Sequence, residues 1–507
     1  HRTSRRPGRR CHAGQRLQFR YAETRSAEGI SHANPHVHAD RLDTDEFIVG
    51  EHIRTWEPRF SYKGFRYVEV HGIDRPDQIR LRARHAHTDV RSVSTFTCGD
   101  EVLCWIDRAM RLTVRNNLHH LPTDTPVYEK NGWTGDVQVA AETMMAQYDL
   151  RRLFTKWLDD IADSQRDDGS IPVIVPSPGW GWTTAPEWTT LHPYLLERVA
   201  TWYGEPDLVE RHREPVLRHL RFLVDQRGTD GLVDGTFGDY LAPGSEGTPP
   251  GDDLRIAATC CLVRVLRTTA DLLERTDGEE VAWLTQAADE LTDTLNTTFL
   301  DEDRGCYRSP REPRYRQTSN ILPVAFDITP EPIRSRVVDR LAQEIRDNGD
   351  RHDCGCLGLS ELFEVLTRYG HADLALRVAT GRRAPSWSAW MEAGETTMLE
   401  MWGDHSRSRN HYFMGAMARW LYTSVAGVRM LAPRWAEFEV APTAHAGLGH
   451  ASYHYEGPRG RLGAAWQQDA GRFDLTVTVP PQTRARVQLP GQDPVSVGEG
   501  RWSFTTE

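Results

Sequence analysis

The chain has 507 residues, 39% of them hydrophobic, and a formal net charge of −11. That length accommodates one large domain with one or two smaller ones. The acidic balance excludes a nucleic-acid footprint and a polybasic membrane surface, and no apolar run approaches the roughly 18 residues that cross a bilayer. Eight cysteines in so long a chain form no disulfide framework. Cys260–Cys261 and Cys354–Cys356 are too close for easy bridging and lack CxxC metal spacing, so the cysteines read as mostly buried, reduced thiols. The arginine-rich first twenty residues have neither an apolar h-region nor a small-residue cleavage site, so a cytoplasmic chain is expected.

Three textures follow in chain order. From about Phe47 to Phe96 the pattern is short and β-like, with aromatic and β-branched residues of the stretch 60–70 set around a Lys63-Gly64 turn signal. This predicts part of a β-sandwich over residues 1–96. From about Asp100 to Leu421 the period is helical. Ala141, Met144, Met145, Tyr148, Phe154, Trp157, Leu158 and Ile161 fall on one face. Further helices are predicted at Trp188–Tyr203, Leu208–Val224, Leu254–Leu273, Val281–Phe299, Ile333–Ile345 and Leu359–Tyr369. Ten or eleven helices with irregular loops and no fixed-period repeat predict paired helices closed into an (α/α)6 barrel over 97–425. After Val428 alternation returns, at Phe438, at Phe473–Pro480 and at Ala485–Leu489, predicting a small antiparallel β-sandwich over 426–507.

Chemistry concentrates in two segments. Pro122, Pro126, Gly132 and Gly135 fix a loop between two helices that presents Asp124, Glu129 and Asp136 together near Trp133. Sugar cleavage needs such a set: one carboxylic acid protonates a leaving oxygen while others accept hydrogen bonds from hydroxyls. Neighbouring carboxylates also raise one another's pKa. The alternative is that Asp136 caps the following helix and Asp124 a turn. The second segment holds Trp387, Trp390, Glu395, Glu400, Trp402 and the run Asn410-His-Tyr412, in which Glu395 and Glu400 are candidates to activate water. Its alternative is a core of Met398, Leu399 and Trp402 with both glutamates exposed. The chain has sixteen tryptophans. Trp133, Trp180, Trp182, Trp188, Trp387, Trp390 and Trp402 stand beside Gly, Pro or carboxylates, as sugar-binding rings would. No GxSxG, HExxH, P-loop or dinucleotide fingerprint occurs, and His119-His120 lacks partners at zinc spacing, so neither cofactor nor metal is expected.

At these two segments the sequence resembles glycoside hydrolase family 78, the α-L-rhamnosidases, over nearly its whole length. The stretch 57–70 resembles the end of the family's β-sandwich; 123–136 resembles its acidic loop; Pro385-Ser-Trp387, Thr396-Thr397, Glu400-Met-Trp402 and Asn410-His-Tyr412 resemble its second catalytic stretch. The resemblance implies inverting hydrolysis of terminal α-L-rhamnosyl groups, with Glu129 as general acid and Glu400 as general base. It further implies that Asp124 and Asp136 bind sugar hydroxyls and that Trp133, Trp188, Tyr240, Trp390 and His411 line the pocket. At Tyr240 the family often carries tryptophan. The expected partner is a rhamnoside; aglycone and oligomeric state are not readable. Two alternatives stay open: another exo-acting (α/α)6-barrel glycosidase of the glucoamylase or trehalase kind, and a non-catalytic carbohydrate-binding protein.

Overall fold

The computed structural model describes residues 11–27, 29–31, 43–52, 55–245, 251–274, 278–403, 405–443, 445 and 447–506. The arginine-rich start at 1–10 lies outside them. The described helices are α1 (Glu101–Asn116), α2 (Thr134–Gln147), α3 (Arg151–Asp163), α4 (Pro186–Thr189), α5 (Leu191–Val199), α6 (Pro206–Asp225), α7 (Leu254–Leu273), α8 (Gly278–Phe299), α9 (Gln317–Ala325), α10 (Glu331–Asp347), α11 (Cys356–Arg368), α12 (Ala372–Thr380) and α13 (Trp387–Glu392).

Their contacts run in a circuit. Helix α2 packs on α5, α5 on α7, α7 on α9 and α9 on α11, and the 3-10 segment Phe413–Ala418 packs on both α11 and α2. Outside this circuit, α6 lies on α5, α8 on α7, α10 on α9, α12 on α11 and α1 on the 413–418 segment. Burial follows the arrangement. Nearly every residue of α2 is buried, whereas α3 and α10 bury one apolar stripe and expose a charged face.

The stripe from Ala141 to Ile161 is not one helix but two. Tyr148 is extended, with its hydroxyl donating to the Arg111 carbonyl at 3.0 Å, and the chain restarts as α3 after Leu150. The two helices lie in different surroundings, α2 buried almost all round and α3 with one face exposed.

In the front region, Arg16–Ala22 pairs antiparallel with Thr44–Ile48 and Tyr67–His71. Lys63-Gly64 does not turn between two strands; instead the Gly64 N–H donates to the Pro126 carbonyl at 3.0 Å, docking this stretch on the acidic loop. Ser94–Cys98, grouped by sequence with the front, is a strand of the C-terminal sheet. That sheet runs Gly500–Thr506, Arg472–Val479, Gly460–Asp469, His450–Gly457, Ser94–Cys98. A second sheet orders Val495–Val497, Arg484–Val487, Glu437–Val440 and Val428–Met430, and its central pair, 437–440 with 484–487, is parallel, not antiparallel. The large sheet packs on the helices through Tyr422 stacked on Tyr453 at 4.6 Å and the Trp202 indole N–H donating to the Tyr455 hydroxyl at 2.7 Å. Among the described residues, no helix is long and apolar enough to cross a membrane.

Candidate active site

The loop between α1 and α2 closes on itself. The Asp124 amide donates to the Asn131 carbonyl at 3.0 Å, and the Asn131 amide donates to Asp124 Oδ1 at 2.7 Å. This tie turns the chain so that Glu129 is exposed at the rim while Asp124 is buried. The Trp133 indole N–H donates to Glu129 Oε2 at 2.7 Å, fixing the carboxylate. Burial, then the charges of Glu129 and Asp136 and a hydrogen bond to Glu129, hold the Asp124 carboxyl well above the ordinary range.

Asp136 sits in the first turn of α2 without capping it; Trp133 occupies the cap position. Its Oδ1 lies 3.0 Å from His411 Nε2, and both side chains are buried. Burial raises the Asp136 carboxyl despite this partner; the His411 ring is raised too, because Asp136 outweighs the opposing effect of burial. One residue earlier, a side chain at Gly135 would lie 2.1 Å from the Trp188 ring, so glycine is what lets that ring reach the pocket wall.

Glu400 approaches from the other segment and is buried. The Tyr128 hydroxyl donates to its Oε2 at 2.8 Å and Arg407 Nη2 donates to its Oε1. Arg407 also donates to the Tyr240 hydroxyl at 3.2 Å. The remaining wall comes from Trp188, Phe237, Tyr240 and Phe413, with the Trp188 and Phe237 rings 4.7 Å apart. Phe237 is placed by the buried carboxylate of Glu187, whose Oε1 accepts the backbone N–H groups of Thr236, Phe237 and Gly238 at 2.8, 2.6 and 3.0 Å.

The structure thus brings Asp124, Glu129, Trp133, Asp136, Trp188, Tyr240, Glu400 and His411 around one pocket of about 380 Å³, mouth included. Trp390 is not among them. It is buried and stacked on Trp402 at 4.7 Å, inside a cluster with Trp387, because α13 turns its apolar face into the core. Glu395 also stays out: Arg66 Nη1 donates to its Oε2 at 2.9 Å and Arg409 Nε to its Oε1 at 3.0 Å. Sequence reasoning missed Tyr128, Phe237, Arg407 and Phe413. Tyr128, adjacent to Glu129, was the most accessible of these; Arg407 carried no local signal. In a larger cavity between the helices and the C-terminal sheet, Glu142 is paired with Arg198 and Arg419, and Glu361 with Arg419. Among the described residues, no group of three His, Cys, Asp or Glu side chains is placed to hold a metal ion.

Two carboxylates from separate segments therefore face one aromatic-walled pocket, Glu129 at the rim beside Asp124 and Glu400 gripped by two donors. Residues 91–425 match the family model described as the bacterial alpha-L-rhamnosidase 6 hairpin glycosidase domain, 427–503 match its C-terminal domain and 6–87 its concanavalin-like domain. The chain belongs to the bacterial α-L-rhamnosidase family. It is similar to an α-L-rhamnosidase of Streptomyces avermitilis, 29% identical with 97% of this chain and 48% of the relative covered. A second relative, an α-L-rhamnosidase of Formosa agariphila, is 26% identical, covering 97% and 54%. Among solved structures, the S. avermitilis α-L-rhamnosidase complexed with L-rhamnose superposes with a TM-score of 0.88 at 27% identity, covering 98% of this chain and 50% of that one. The α-L-rhamnosidase from Dictyoglumus thermophilum gives 0.89 at 25% identity, covering 98% and 60%. The chain spans about half the length of the curated relatives it matches.

Proposed function

We propose that this protein hydrolyses terminal α-L-rhamnosyl groups with inversion, on an (α/α)6 toroid formed by the helical circuit. The observation that carries the reading is the meeting of Glu129 and Glu400 at one pocket from segments 271 positions apart, with Tyr128, the neighbour of Glu129, donating to Glu400. The rhamnose complex of the S. avermitilis relative supports the choice of sugar.

In this scheme Glu129 gives its proton to the glycosidic oxygen as the C1–O bond breaks, with the Asp124 carboxyl, raised by burial and by the charges of Glu129 and Asp136, beside it. Glu400 takes a proton from water, which adds to C1 from the opposite face. Arg407 and Tyr128 fix the orientation of Glu400, so that the lone pair it offers points at that water. Asp136, paired with His411, accepts hydroxyl hydrogen bonds, and the Trp188, Phe237 and Phe413 rings receive the C–H face of the sugar.

Proton NMR of the anomeric signal in the first minutes after mixing with 4-nitrophenyl α-L-rhamnoside tests the scheme. β-L-Rhamnose should form first, and the α-D-glucoside should be untouched. First-formed α-L-rhamnose would overturn the role of Glu400 as base; cleavage of the glucoside would overturn the sugar.

A further inference from the structure

Beyond the pocket wall, the loop 176–182 carries two tryptophans, Trp180 between Gly179 and Gly181 and Trp182 after Gly181, and their environments differ. Trp182 is covered: the Arg166 guanidinium lies 3.5 Å from the centre of its ring. Trp180 is not; the side chain is 50% exposed, one of few large apolar groups so open. Its ring meets the Trp133 ring edge-on at 5.8 Å. Trp133 in turn holds Glu129 through its indole N–H.

The loop is built to stay there. The Val175 N–H donates to the Gly132 carbonyl at 2.8 Å and the Thr134 N–H to the Val173 carbonyl at 2.9 Å, so the loop's entry runs beside Trp133. The Val173 N–H donates to the Gly181 carbonyl at 2.9 Å, and Ser177 Oγ donates to the Trp180 carbonyl at 2.7 Å. Gly179 and Gly181, at φ 102° and 89°, allow the reversal that turns the indole outward. An exposed indole held by such a frame loses little conformational freedom when a flat group covers it.

Direction follows from the chemistry. A general acid stands beside the bond it protonates, so the leaving group lies on the side of Glu129, outside the enclosed sugar pocket. From these placements we infer that Trp180 is the platform of a leaving-group subsite, which favours rhamnosides whose aglycone presents a flat aromatic or C–H ring face. The inference rests on the role proposed for Glu129.

The test is calorimetric binding to the double variant Glu129→Gln, Glu400→Gln, in which turnover of activated and natural glycosides alike is suppressed, with L-rhamnose, methyl α-L-rhamnoside and 4-nitrophenyl α-L-rhamnoside as probes. The nitrophenyl compound should bind roughly 3–10-fold more tightly than the methyl compound, the range set by aromatic stacking. Adding Trp180→Ala should abolish that preference and leave L-rhamnose affinity unchanged, while Trp180→Phe should keep most of it. A preference that survives Trp180→Ala overturns the platform alone. Equal weakening of L-rhamnose and both glycosides also overturns it, assigning Trp180 to the support of Trp133. Absence of L-rhamnose binding to every chain sinks the parent reading and the subsite with it.

Discussion

The two segments that meet at the pocket hold their carboxylates in different ways. In the loop 122–136 the two carboxylates Asp124 and Glu129 are tied by the loop's own residues, to Asn131 and Trp133. In the segment 395–411, internal ties such as Arg407 to Glu400 and Arg409 to Glu395 are joined by ties from distant residues. Arg66 reaches Glu395, Thr113 Oγ1 accepts the Met398 N–H at 2.8 Å, Tyr128 donates to Glu400, and the Glu23 carboxylate accepts the Arg409 N–H at 3.0 Å. A self-tied loop advertises its chemistry in a short run of sequence. A segment held partly from outside depends on residues hundreds of positions away, two of them from the front region. The acid side should therefore respond to substitutions within the loop, and the base side also to changes far from it.

The largest effect is expected within the loop. Glu129→Gln should lower turnover of a natural rhamnoside about 10²–10⁴-fold, with a smaller loss on the nitrophenyl substrate, whose leaving group needs less protonation. Equal losses on the two would remove Glu129 from the acid role. Next comes Arg407→Met. Freed from one of its two donors, Glu400 should misplace its lone pair, and kcat should fall on the order of 10–100-fold with little change in the L-rhamnose inhibition constant. A change confined to that constant would make Arg407 a sugar ligand instead.

Glu395 separates support from chemistry on the base side. Glu395→Ala leaves Arg66 and Arg409 without their shared carboxylate and should cost about 2 kcal/mol of stability, after allowing for the water that reaches both guanidinium groups. Denaturant unfolding measures the loss, and kcat at a temperature where the variant is folded should stay within about threefold of the parent. A collapse of kcat in folded protein would return Glu395 to the catalytic set.

The smallest effect is a pH dependence. Burial pushes the Glu23 carboxyl up to about 7 against the Arg409 N–H and charge, and the charges of Glu395 and Glu400 add to the rise. A carboxyl raised on folding favours the folded state at low pH, and that contribution fades as pH climbs from the ordinary carboxylate range through about 7. Glu23→Gln does not titrate, so its stability relative to wild type should improve by about 1–3 kcal/mol between pH 5 and pH 8. A pH-independent difference would mean that Glu23 is not the titrating group.

This contrast explains what was legible in the sequence. The helical array, Glu129 with its carboxylate neighbours, and Glu400 as one of two candidates stand in local pattern or in family motifs. Local pattern alone does not choose between Glu395 and Glu400; the family motif points to Glu400, and in the structure Arg66 and Arg409 hold Glu395. Arg407, one of many arginines, is not marked by local pattern either. Trp390 misled for a related reason: glycine and carboxylate neighbours mark a chain reversal whether the ring faces a sugar or another tryptophan. The split between α2 and α3 is invisible to periodicity, because the apolar residues of both helices read as one continuous stripe in the sequence across the short break.

The pairing of Ser94–Cys98 with His450–Gly457 bears on the order in which the molecule can be made. Thr97 Oγ1 and Ser452 Oγ sit 2.8 Å apart although 355 positions separate them. During synthesis, the strand leaves the ribosome long before its partner exists, and every helix of the ring emerges in between. The entropy cost of joining such distant segments rises only logarithmically with their separation, so the delay lies in waiting. Until residue 457 has emerged, the backbone N–H and C=O groups of 94–98 that will face that partner have nothing to pair with, an open edge of the kind other chains add to. A chain halted before that point would carry the helices of the ring and still be prone to aggregate through this short strand.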